Sequence, residues 1–119
     1  MVVAAAASEP ELLAAIAEEI AQLLGTDDVR IFRYDGDREA VVVAARGDED
    51  HAPLGSRYRL GGTNATSEVF RSRQPARIDD VPDTASGEIA ETAQRVGLRS
   101  VVAAPIMVAG RLWGAITVG

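Results

Sequence analysis

The last twenty residues, SVVAAPIMVAGRLWGAITVG from Ser100 to Gly119, constrain the fold more than any other stretch. Two apolar runs, Val101 to Val108 and Leu112 to Val118, flank a short turn at Ala109 and Gly110. Both are apolar at nearly every position rather than at alternate ones, the pattern of a strand covered on both faces. The spacing predicts a hairpin in the middle of a sheet. The rest of the chain must supply the covers and the neighbouring strands.

The upstream segments read as those parts. Ser8-Glu9-Pro10-Glu11 has the form of a capping box, and its acidic residues suit the positive end of a helix dipole. Leu12, Ile16, Ile20 and Leu23 follow at helical spacing up to Gly25, which predicts a helix over Pro10–Leu24. Val29 to Tyr34 and Glu39 to Arg46 read as strands joined by a turn at Asp35-Gly36-Asp37. Gly47 to Ser56 is polar and reads as a loop, with a short extended piece at Tyr58 to Leu60. Next come a helix over Thr66–Arg73 ended before Pro75, a strand at Ala76–Ile78, a loop over Asp79–Gly87 and a helix over Glu88–Val96. This order gives an α+β domain with a mostly antiparallel sheet. The 119 residues fit a single domain, 1–119, in which residues 1–8 are expected to be disordered or a cloning remnant.

Composition closes several routes. The net charge is -6, and the twelve basic residues, all Arg, form no stripe. Counterion release on nucleic acid needs such a stripe, and so does an anionic membrane surface, so neither is an expected partner. No apolar run reaches the length of a membrane span. There is no Cys, which removes disulfides, thiolate metal sites and Cys nucleophiles. The absence of Lys amid abundant Ala, Arg, Gly and Val suggests a GC-rich coding genome.

Candidate sites are few. Gly61-Gly62-Thr63-Asn64 before a helix could hold an anion on backbone N–H groups, but a Gly turn with Thr or Asn as cap is the simpler reading. Asp48-Glu49-Asp50-His51 gathers three carboxylates and the single His. A solvated loop tip is favoured there over a metal site. Asp79, Asp80 and Asp83 lack a nearby nucleophile and read as structural. Arg99 could meet a ligand anion or pair with the Asp-rich crossover. No catalytic constellation emerges.

Two runs carry a resemblance. LGGTNATSEVFRSRQPARIDD, Leu60 to Asp80, resembles the middle motif of GAF domains, and GLRSVVAAPIMVAGRLWGAITVG, Gly97 to Gly119, resembles their C-terminal motif. The order and spacing of the two together make the match specific, over roughly Leu12 to Gly119. The resemblance implies a GAF/PAS-like fold with a five- to six-stranded sheet of order 2-1-5-4-3. Helices would pack on one face, and a crossover-covered ligand pocket would lie on the other. The C-terminal helix usual in the family is absent, so the first helix would lack its partner, and a second copy would be the simplest cover. The kind of GAF domain resembled is that of bacterial, GC-rich, actinobacterial-type signalling proteins, above all two-component sensor histidine kinases.

The implied role is a non-enzymatic, cytoplasmic, small-molecule-binding and dimerising sensory module serving an output domain of the same parent chain. The alternatives are a structural dimerisation module without ligand, or a haem or metal sensor through His51. Family members that carry bilin covalently or reduce sulfoxides use Cys, and the cyclic-nucleotide signature needs Lys, so those three readings fall. Haem is not expected, because the resemblance does not place an axial ligand in the acidic loop. Position in the implied fold nominates Phe32, Tyr34, Asn64, Phe70 and Arg99 around a pocket, with the ligand unknown.

Overall fold

The computed structural model describes residues 8–119. The expectation of disorder or a cloning remnant therefore falls outside the described residues for 1–7. Ser8 is the N-cap of helix α1 (Glu9–Leu24) and accepts the Glu11 backbone N–H at 3.3 Å. Gly25 ends α1 in a left-handed conformation, as its position after the apolar stripe predicts.

Strands β1 (Val29–Asp35), β2 (Glu39–Arg46), β3 (Arg57–Arg59), β4 (Ala76–Ile78), β5 (Val101–Val108) and β6 (Arg111–Val118) form one sheet, every pair antiparallel. The order is β3-β2-β1-β6-β5-β4. With the short β3 counted as a strand, this is the expected 2-1-5-4-3 order plus one edge strand. Register explains how a proline survives in β5. Pro105 pairs with Ala115 of β6, while β4 reaches only Val101 to Ala103, so the other side of Pro105 needs no N–H donor.

The two faces are covered differently. On one, α1 presents Ala17 and Ala21, both buried, to Val29, Ile31 and Ala44. On the other lie helices α2 (Ala65–Ser72), α3 (Val81–Thr84) and α4 (Glu88–Arg95), with the β2–β3 loop. The turn of helix at Val81–Thr84 replaces part of the loop expected over Asp79–Gly87. One turn is too short to show a period, and its cue was Pro82 in the first helical positions beside buried Val81.

The closing hairpin is not covered evenly. Gly114, Ala115 and Thr117 of β6 are buried, but Val102 of β5 is 42% exposed. A helix about 10 Å across spans about two strands spaced about 4.8 Å apart. Here α1 lies over β1 and β2. A groove lined by Ile20, Leu23, Leu24, Val102, Ala104, Ile116 and Val118 therefore stays open beside it. Continuous apolar pattern marked the hairpin as central without showing how far its α1-side cover reaches.

Candidate functional site

Alternation along β1 decides what faces the crossover. Val29 and Ile31 point to α1, so Arg30, Phe32 and Tyr34 point the other way. Arg30 is wholly buried, and its guanidinium is spent on carbonyls of the β2–β3 loop. Nε donates to His51 O at 2.8 Å and Ala52 O at 3.0 Å, and Nη2 to Asp48 O at 2.5 Å. Nη1 donates to Val29 O at 3.0 Å and Arg46 O at 2.6 Å and lies 3.3 Å from Asp28 Oδ1. Burial lowers the Arg30 pKa from the ordinary guanidinium value, and the charges of Asp28 and Asp48 oppose that shift. The fork of five N–H donors makes Arg the one side chain able to pin a loop by so many carbonyls at once.

That pinning overturns the solvated loop tip expected for Asp48-Glu49-Asp50-His51. The three acidic residues are exposed, but His51 is turned inward and 4% exposed. Its N–H bonds back to Asp48 O at 3.1 Å, and its Nδ1 lies 2.9 Å from Asp28 Oδ1. Asp28 Oδ2 is buried with no hydrogen-bond partner among the described residues. The next residue, Ala52, donates its N–H to Thr92 Oγ1 of α4 at 2.8 Å, which ties the loop to the crossover.

Asn64 caps α2 by accepting the Ser67 N–H at 2.9 Å, so the capping reading of Gly61 to Asn64 holds. Its amide NH2 donates to Gly61 O at 2.9 Å and Ser86 O at 3.1 Å. The two segments that meet there approach through glycines. A Cβ on Gly62 would sit 2.5 Å from Ser86 O, and one on Gly87 would sit 2.3 Å from Gly61 O. Both glycines also have positive φ, 78° and 97°, so an L side chain at either is strained twice over.

Between the sheet and these helices lies a cavity of about 20 Å³, room for about one water molecule. Phe32, Ile78, Val81, Ile89 and Val101 give it an apolar wall, and His51, Asn64, Thr66 and Thr117 add polar groups. Of the residues nominated from sequence, the cavity brings together Phe32 and Asn64. Tyr34 and Phe70 meet with ring centroids 5.0 Å apart and planes tilted by 59°, and they border a separate groove by the β5–β6 turn. Tyr34 donates its hydroxyl to Thr66 O at 2.7 Å, and burial pushes its pKa well above the ordinary phenol value, so it stays a donor.

Arg99 is exposed, and it contributes its carbonyl to the Val81 N–H at 2.8 Å rather than its charge to the cavity. Asp79 pairs with Arg77, and the α3 turn is closed by the Asp80 carbonyl, not by an Asp side chain. Sequence reasoning missed Arg30, Asp28, Thr66 and Thr117. The signal for Arg30 was there, since it shares strand parity with Phe32 and Tyr34.

The arrangement holds no nucleophile beside a base. Among the described residues, no group of three or more His, Cys, Asp or Glu side chains could hold a metal ion. No helix among them is long and apolar enough to cross a membrane. What remains is a small lined space whose wall is a loop and three short helices.

Comparison with known proteins agrees with this architecture. Among solved structures, the chain is similar to the GAF domain of A. aeolicus NLH2 in an inactive state, at 21% identity and TM-score 0.74, over 94% of this chain and 68% of that one. It is similar to the phycocyanobilin-bound GAF domain of a cyanobacterial phytochrome, at 24% identity and TM-score 0.67, over 94% and 70%. A domain of a putative two-component sensor histidine kinase from Sinorhizobium meliloti matches at 19% identity and TM-score 0.65, over 95% and 73%. A search of curated proteins returned no match. The family model for the GAF domain matches residues 8–119, the whole of the described chain. With the sheet order, the crossover and the two motif runs all in place, the chain belongs to the GAF domain family.

Proposed function

We propose that this chain is a sensory domain that binds a small molecule between its sheet and its crossover and passes occupancy to an output domain of its parent protein. The observation that carries the reading is the asymmetry of the two faces. The α1 face is packed without a polar cavity, whereas the crossover face encloses a space lined by both apolar and polar side chains under short, loop-joined helices. Such a cover can shift between closed and open states, and a ligand that prefers one of them moves the population. Likeness to a domain of a putative sensor histidine kinase supports a kinase as the output. The isolated domain is non-enzymatic in this reading and works in the cytoplasm. The test is native mass spectrometry followed by a thermal-shift screen of small metabolites. A ligand that adds mass and raises Tm supports sensing, and turnover of a substrate by the chain alone would overturn it.

The second part of the proposal is self-association. Leu23 is 76% exposed and Leu24 63%, and both border the apolar groove over β5 and β6. A second copy buries these side chains at no new polar cost. The expected result is a dimer by light scattering that becomes monomeric in Leu23→Asp/Leu24→Asp. The melting curve at low protein concentration should hardly move, because both residues are exposed. A wild-type monomer at every concentration tested rules the dimer out.

The competing structural reading, a dimerisation module with no ligand, is favoured by one observation: the cavity holds no more than about one water. It predicts self-association together with a flat ligand screen.

A further inference from the structure

Three polar side chains besides Asn64 border the cavity: His51, whose Nδ1 faces Asp28, and Thr66 and Thr117. The three residues are 4%, 1% and 3% exposed. A few polar side chains set into a largely apolar cavity are where the polar head of a ligand is held. Asn64 does not belong to the set, because both ends of its amide are committed to backbone.

The tautomer of His51 follows from its neighbour. Asp28, which lies 3.3 Å from the Arg30 guanidinium, offers an oxygen 2.9 Å from Nδ1. A carboxylate only accepts, so the neutral ring carries its proton on Nδ1 and leaves a lone pair on Nε2. A carboxylate behind an imidazole fixes orientation and basicity in this way wherever the far nitrogen has work to do.

The remaining wall selects the ligand. None of the residues lining the cavity carries a formal charge apart from what His51 could take up. A charged ligand would be desolvated there without a counter-ion. We infer that His51 Nε2 accepts a hydrogen bond from a small uncharged ligand with an apolar body and a single O–H or N–H head, and that Thr66 and Thr117 bond the same head. This rests on the reading of the cavity as the ligand site and adds the chemistry of what enters. Entry requires the α3–α4 cover to move outward, since the closed cavity admits only about one water.

His51 is the only histidine in the chain, so its ring nitrogens are assigned without ambiguity in a two-bond 1H–15N spectrum of the uniformly labelled protein. The expected spectrum of the neutral ring shows a pyrrole-type Nδ1 and a pyridine-type Nε2. The opposite tautomer overturns the inference before any variant is made. Phenol is then the probe, with fluorobenzene as the analogue lacking the donor. Phenol should shift Nε2 saturably, and fluorobenzene should leave it in place. In His51→Phe, phenol should bind at least tenfold more weakly, with fluorobenzene binding unchanged. Phenol that perturbs the Val101 and Thr117 amides equally in wild type and His51→Phe overturns the role of His51 and spares the ligand site. If neither probe perturbs those amides, the ligand site and the inference fall together.

Discussion

Arg30→Met should destabilise the domain by about 3–5 kcal/mol, the range for breaking a buried charged network by removing one partner. At about 4 °C per kcal/mol for a chain of this size, Tm should fall by about 12–20 °C. Methionine fills much of the volume, so packing is a minor part of the loss. The larger part is that carbonyls of Val29, Arg46, Asp48, His51 and Ala52 lose their donor while Asp28 loses its cation. Burial that stays and partners that vanish are the costly combination.

Arg30→Lys keeps the charge but has three donors on a point rather than five in a plane, so it should recover no more than about half of the loss. Heat and urea melts followed by circular dichroism measure both variants, and limited proteolysis should show new cutting within residues 47–52. A melt of Arg30→Met within about 1 kcal/mol of wild type would mean the loop holds its shape without the guanidinium.

Arg30 also marks where sequence legibility ends. The helix α1, the β1–β2 hairpin and the Asn64 cap were readable because each rests on a local pattern, a period, a turn pair or a capping residue, whereas the sheet order came from the family resemblance alone. The site rests instead on contacts between segments far apart in sequence. Asp28 meets His51 across 23 residues, and Ala52 meets Thr92 across 40. Nothing local distinguishes a His at a loop tip from one drawn beneath it by an Arg on a neighbouring strand.

The nominated residues divide by the same logic. Phe32 reaches the cavity because strand parity sends it to the crossover face. Tyr34 has the same parity, but two residues further along the strand it passes beyond the cavity to Phe70. Arg99 was judged by its charge, yet the fold uses its carbonyl, which any residue would supply.

Phe32→Ala carries the second large effect, and it reports on the property a sensor needs. The ring is 1% exposed, meets Tyr58 edge-on at 6.5 Å and forms part of the cavity wall. Truncating a buried Phe to Ala costs about 3–5 kcal/mol, and the position within that range depends on how far the surroundings collapse into the space. Here the surroundings are of two kinds. The sheet side is fixed by the β1–β2 and β1–β6 ladders, so any collapse must come from Ile89 and the short α4.

A rigid cover would leave a dry cavity large enough for benzene, with a loss near the top of the range and a Tm that rises on benzene addition. A mobile cover would settle inward, with a loss near the bottom and no response to benzene. Calorimetry with and without benzene separates the two. The sensing proposal requires the mobile outcome, because a cover that cannot move inward over a void has no evident means of moving outward over a ligand. A benzene-stabilised Phe32→Ala protein with the full loss would therefore turn the assignment toward a fixed dimerisation module.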